Sequence, residues 1–414
     1  MPRVCRDLFR AILVFSLATC EAPGQEWPRF RGPNGTGVSD ARTIPASWTD
    51  GDYRWRVELP GIGYSSPVVA GSRLFITSGL EDDATQVVTC LSIADGAVLW
   101  QRKLSSAPHP RHPFNCYAAS TPALDDDSVY FLWAEPGRLS LVKLDQPTGQ
   151  ERWRRDLGPF LAEHAIGASP IVFEESVIVP NEQDGASSIV ALDRATGETR
   201  WLAERRTEKT AYATPCLFQL ADGQLQLLVN SWAHGFSALD PRTGETLWEL
   251  PILNYRVVNS PAVAGGLVFG SCGTGGIGRQ MFAVRPGNPR TGTPPEVAYE
   301  LTGSLPYVVT PIGVGDLLFS WYDKGIVTCL EASTGKIVWK ERIGGEYFAS
   351  PVCVGDRLYG ISRDGRVVVL AASRRFEELA RIDLGERTNA TPAIAGGAMY
   401  LRTASHVIAI GPVE

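Results

Sequence analysis

The 414-residue sequence contains no Cys-x-x-Cys, no two adjacent cysteines and no Lys/Arg-rich run. Its eight cysteines therefore show no metal or redox spacing. The missing basic run, with a formal charge of −6 at pH 7, argues against a nucleic-acid partner. There is no Gly-x-Ser-x-Gly turn to present a serine nucleophile. Gly273–Gly278 is glycine-rich but lacks the strand-to-helix setting and the following Lys-Ser or Lys-Thr of a phosphate loop, so it reads as a long hairpin. No helical stretch of useful length follows the first two dozen residues, and the body of the chain is expected to be almost all β. Hydrophobic residues make up 44%, which excludes a disordered chain.

The N-terminus has the pattern of an export signal. Arg3, Arg6 and Arg10 precede an apolar run from Ala11 to Ala18 that is too short to span a bilayer. Residues 1–24 are read as the signal. Leu17-Ala18-Thr19-Cys20 resembles a lipoprotein cleavage box with an unusual Thr19, so lipid attachment at Cys20 and ordinary cleavage near Ala22 or Gly24 both stand. Residues 25–52 form a Gly/Pro-rich segment whose aromatics, Trp27 and Phe30, suggest packing against the body.

What the chain does have is a repeat. Leu239-Asp240 leads to Thr243-Gly244 and Trp248, and the unit recurs from Leu144 to Trp153, Leu192 to Trp201 and Leu330 to Trp339, with a weaker copy ending at Trp100. A Ser-Pro or Thr-Pro opens each repeat, at Pro67, Pro122, Pro170, Pro215, Pro261, Pro311, Pro351 and Pro392. Each proline is followed by four short strand patterns, here named A to D. Intervals of 40 to 55 residues with four strands each predict an eight-bladed β-propeller over residues 53–414. Trp55, Trp100, Trp153, Trp201, Trp248, Tyr299 and Trp339 are expected to dock in the outer strands, with Ala380 in that slot of blade 7. Blade 8 runs out at Ala409-Ile410, so Trp55-Arg56-Val57-Glu58 should supply its missing outer strand and close the ring. Cys90 and Cys329 share one slot and read as core residues.

The repeated Ala-Leu-Asp-x-x-Thr-Gly-x-x-x-Trp resembles the tryptophan-docking motif of the pyrroloquinoline quinone-type propeller repeat, and the resemblance covers residues 53–411. That family includes periplasmic quinoprotein alcohol dehydrogenases and the non-enzymatic lipoprotein of the outer-membrane β-barrel assembly machine. Trp27-Pro28-x-Phe30-Arg31-Gly32-Pro33-Asn34-Gly35 is similar to the opening of secreted repeat proteins of planctomycete-type bacteria. Among the dehydrogenases the resemblance implies a quinone clamp, a calcium site, an Asp base and a vicinal disulfide. This chain has no such cysteine pair, is much shorter, and shows no calcium triad in its loops.

Extra length falls on one face. The interval from docking residue to proline is 12 positions at Trp55–Pro67 and Trp339–Pro351, 22 at Trp100–Pro122 and 17 at Trp153–Pro170. The first insertion carries His109 and His112, the second Glu163 and His164, and His234 and His406 fall in or near hairpins of the same face. No metal-ligand set is fixed by these spacings. Trp133, Trp232 and Trp321 occupy B-to-C regions, while Tyr64, Tyr117, Tyr212, Tyr255, Tyr307 and Tyr347 enter the A strands. Either they rim a recognition funnel or they cover the core. The reading is an exported, monomeric, non-catalytic binding or scaffold propeller, in the periplasm or anchored to the cell envelope. It would present this aromatic- and histidine-rich face to a protein or envelope component, without cofactor or metal. The alternative is a quinone-dependent or other small-ligand oxidoreductase using the same funnel.

Overall fold

A computed structural model describes residues 26–412 except Ile277. The export signal and Cys20 lie outside the described residues. Among the described residues the strands form eight sheets, each a four-stranded antiparallel blade, with one parallel strand added to blade 7. Blade 1 is Val68–Ala70, Arg73–Gly79, Gln86–Ser92 and Val98–Leu104. Blade 8 is Ala393–Ala395, Ala398–Arg402 and His406–Ile410, completed by Tyr53–Glu58 from the chain start. Trp55 pairs with Ala409, as Trp100 pairs with Cys90 and Trp339 with Cys329. The eight-bladed ring and its N-terminal closure are as the repeat predicts.

The motif works between blades, not within one. Trp100 Nε1 donates to Gln146 O (2.8 Å), Trp201 Nε1 to Pro241 O (3.2 Å) and Trp339 Nε1 to Ser373 O (3.0 Å), each in the turn of the next blade. Trp55 and Trp153 do the same to Ile93 and Arg194, and the Tyr299 hydroxyl takes the place of an indole at Ala332 O. Trp248 reaches its neighbour through a relay: its indole donates to Gln226 Oε1, and Gln226 Nε2 donates to Gly287 O. The motif glycine lies against the ring that it receives. Gly244 has φ +74°, and a Cβ there would sit 2.4 Å from the Trp201 ring; at Gly149 it would sit 2.6 Å from Trp100. Glycine is required twice over, for backbone conformation and for the space the indole fills.

A second ring of contacts lines the channel. The amides of seven of the eight Ser or Thr residues before a strand-A proline donate to the hydroxyl of the counterpart in the next blade. Ser66 donates to Thr121, Thr121 to Ser169 and Ser169 to Thr214. The hand-off continues from Thr214 to Ser260, Thr310, Ser350 and Thr391, all at 3.0–3.1 Å. The eighth link, from Thr391 back to Ser66, is open, and Ser66 Oγ is buried without a partner. At this seam Arg402, fully buried, stitches blade 8 to blade 1 through Ser65 O, Ser65 Oγ, Thr77 O and Ser78 Oγ. Burial pushes its pKa down to about 10.

The Gly/Pro-rich segment is a plug. Trp27 pairs with Val69 and is fully buried, and Pro28 O accepts from Leu124 N. Arg29 donates to Pro215 O. Arg31 Nη1 donates to Pro351 O (3.2 Å) and its Nη2 to Pro311 O (3.2 Å). Val38–Ser39 then pairs in parallel with Val352–Val354 of blade 7. The segment thus crosses the channel against the inner strands of blades 1, 2, 4, 6 and 7. The six described cysteines are all buried and unpaired, and burial raises their thiols, Cys90 to about 12 and Cys116 to about 11.

The indole–glycine contact can be isolated by a double-mutant cycle. Trp201→Ala is expected to cost ~3–5 kcal/mol. Gly244→Ala alone should cost ~2–3 kcal/mol from strain and clash. In the Trp201→Ala background the ring is gone, and the same glycine change should cost only ~1 kcal/mol of backbone preference. Denaturant unfolding measures all four corners; strictly additive changes would contradict the contact.

Candidate functional site

The 22-position insertion between blades 1 and 2 crosses the mouth of the funnel. Pro108, Pro110 and Pro113 keep it from forming regular structure. Side chains pin it on several sides. Arg111 pairs with Glu81 of blade 1, and Asn115 Nδ2 donates to His164 O in the second insertion. Asn389 Nδ2, entering blade 8, donates to Phe114 O (3.0 Å). The Arg363 guanidinium lies 4.1 Å from the Phe114 ring centroid and 4.5 Å from that of Phe348. Such cation–π contacts contribute roughly 0.5–2 kcal/mol each. The insertion is therefore a strap from blade 2 to blades 3, 7 and 8.

Under the strap is a cavity of about 590 Å³. Phe30 of the plug and the eight hydroxyls of the inner ring belong to its lining. Higher up, three arginines each hold a carboxylate. Arg256 Nη2 donates to Glu163 Oε2 (2.5 Å), and its Nη1 lies 2.6 Å from His164 Nε2. Arg279 pairs with Asp323 (2.5 Å) and Arg363 with Glu346 (3.0 Å). Asp323 also accepts the amides of Tyr307, Val308 and Val309, which makes it a structural clamp on the entry to blade 6. Burial, then the Arg256 charge, lowers the pKa of His164 and keeps it neutral. The Arg256 hydrogen bond holds the Glu163 carboxyl below its usual range.

This donor set does not fit the calcium that the repeat family suggests. Calcium takes six to eight oxygens, whereas the carboxylates here are committed to arginines and backbone amides. Among the described residues no three His, Cys, Asp or Glu side chains group as metal ligands. A hydrolytic triad is not built either. Ser405 Oγ and Glu386 Oε2 meet His406 outside the cavity, but both approach the same ring nitrogen, Nδ1 (2.9 and 3.0 Å). The imidazole cannot relay a proton between partners that share one nitrogen.

The residues singled out in the sequence separate into groups. Tyr64, His112, His164, Tyr212 and Tyr307 line the cavity. His109 packs edge-on against Tyr117, which is buried. Trp133 lies in the core beneath Arg154, and Trp321 and Tyr347 are buried against one another. Tyr255 packs on Gly278. Trp232 lines a separate groove with Arg206 and Glu208, and His234 pairs with Glu249 (2.9 Å). Arg256, Arg279, Asp323 and Arg363 were not singled out, and Phe30 was read only as packing against the body, although they supply much of the cavity's chemistry. A charged residue at the entry or hairpin of successive blades was the available signal.

Comparison with known proteins agrees on the architecture. The structure of BamB from Moraxella catarrhalis superposes with a TM-score of 0.60 at 17% identity, over 86% of this chain and 98% of that one. The quinohemoprotein alcohol dehydrogenase from Comamonas testosteroni gives 0.65 at 15% identity, over 94% and 80%. A computationally designed protein, Ika8, gives 0.62 at 14% identity, over 87% and 100%, so likeness at this level speaks to fold alone. No curated protein matches the sequence significantly. The family model described as outer membrane protein assembly factor BamB matches residues 38–140, 84–306 and 288–412. With nearly the whole propeller matched, the chain belongs to that family of pyrroloquinoline quinone-type repeat proteins.

Proposed function

We propose that this protein is an exported, non-catalytic scaffold of the cell envelope that binds a protein partner through its strap-bearing face. The observation that carries this reading is the pair of large apolar side chains on the two insertions: Phe114 is 50% exposed and Leu161 60%. Apolar side chains left in water on otherwise pinned loops are what an interface anchor requires. Membership of the BamB family supports a partner-binding role. The fold shared with quinohemoprotein alcohol dehydrogenase is compatible with the rival, an oxidoreductase, but the committed carboxylates speak against it.

The strap can be tested in cells with a photo-crosslinking residue at position 161. A discrete protein adduct is expected, weakened about tenfold or more by Phe114→Ala. The same probe at Leu99, an exposed outer-strand position of blade 1, should give none. Equal adducts at both sites would remove the strap as the interface. Saturable binding of pyrroloquinoline quinone with calcium, accompanied by dye-linked alcohol oxidation, would replace the scaffold reading with the enzymatic one.

Export is tested by intact mass of protein from its native cells. The expected product begins at Cys20 with acyl chains, or without them after Ala22 or Gly24. A cytoplasmic protein that retains Met1 would refute the localisation.

A further inference from the structure

The cavity lies beneath the outer face assigned to a protein, and the two share the strap residue Phe114. The strap bars a folded domain, and the plug closes the channel beneath. We propose that this chamber binds a small polyhydroxylated carboxylate, the chemical class of a sugar acid.

Its charge favours an anion. Arg256, Arg279, Arg363 and Lys324 face Glu163, Asp323 and Glu346 in the lining, four cations against three carboxylates. All three carboxylates are held by arginines. Lys324 is exposed and has no ion pair among the described residues, so it is the cation free to take a ligand carboxylate.

The hydroxyl ring favours a ligand rich in oxygen. Seven of its oxygens accept a backbone amide, and each O–H remains available to donate. One further hydroxyl, Ser66 Oγ at the open link, has no partner. An unsatisfied buried hydroxyl gains from an acceptor. Phe30, half-buried among these groups, offers a flat apolar face to the C–H side of a sugar ring. A volume of about 590 Å³ is in the range of small-molecule sites.

The experiment is calorimetric titration of the full mature protein with galacturonate, galactose and benzoate. Galacturonate should bind saturably at 1:1 and at least about tenfold more tightly than the other two. Lys324→Gln and Phe30→Leu should each weaken it about tenfold, while the crosslink from position 161 persists, so that this site and the protein interface fail independently. Tighter binding of an α-galacturonide chain than of the monomer would identify a polysaccharide end as the source; the reverse would identify the free sugar acid. Equal binding of galactose would show that the charge is not read. Equal binding of benzoate would show that the hydroxyl ring is not used. No heat at about 10 mM ligand would end the proposal, as would parental affinity in Lys324→Gln, which alters only an exposed hairpin residue and serves even if Phe30→Leu does not fold.

Discussion

The structure depends on how one blade is handed to the next. A four-stranded sheet of this size cannot bury both its faces alone, so stability lives between the blades. Two concentric sets of hydrogen bonds make that connection. Near the axis, a Ser or Thr amide donates to the hydroxyl of the next blade. Towards the rim, an aromatic side chain donates to a turn carbonyl, directly or through Gln226, in every blade with a docking Trp or Tyr. Both sets run in the same direction around the ring. Where a member is missing, another group fills in. Phe376 packs edge-on against Trp339 where blade 7 has no turn glycine, and Arg402 spans the seam where the inner ring is open.

This organisation explains what could be read in advance. The docking residue, the Thr-Gly turn and the Ser/Thr-Pro recur at fixed local spacing, so each blade repeats the same evidence and the ring follows from counting. The final-blade strand was legible because Trp55 carries the same signature. The plug was not. Arg29 and Arg31 find their partners in backbone carbonyls of Pro215, Pro311 and Pro351, and a carbonyl acceptor leaves no trace in the sequence. The cavity was half legible for the same reason. The insertions and the tyrosines at strand entries pointed to its face, but Arg256–Glu163 and Arg279–Asp323 join different blades. Nothing in local periodicity distinguishes Trp321, which turns into the core, from a rim aromatic one or two positions away.

The chemistry of the cavity also follows from the fold. Arginines in its lining hold carboxylates that would otherwise be free to bind a metal or take a proton. What remains is a chamber dominated by donors, with an aromatic surface contributed by a segment from outside the repeat. The outer face differs: its exposed groups are apolar and sit on insertions tied to several blades. A single propeller thus presents two surfaces with different physical character, one above the strap and one below it.

The plug also sets an order of assembly. Its contacts are made with inner strands from five blades, the last of them beginning at Val352, and the closing strand pairs Tyr53 with Ile410. Neither can settle until almost the entire chain is available. Residues 27–58, made long before their partners in blades 7 and 8, are therefore among the last to reach their places, and the nascent propeller spends its synthesis as an open arc with an unpaired edge. Such long-range closure is slow and exposes strands to wrong partners. The interval of greatest exposure thus lies between the end of translation and the moment residues 27–39 settle across the channel of the ring.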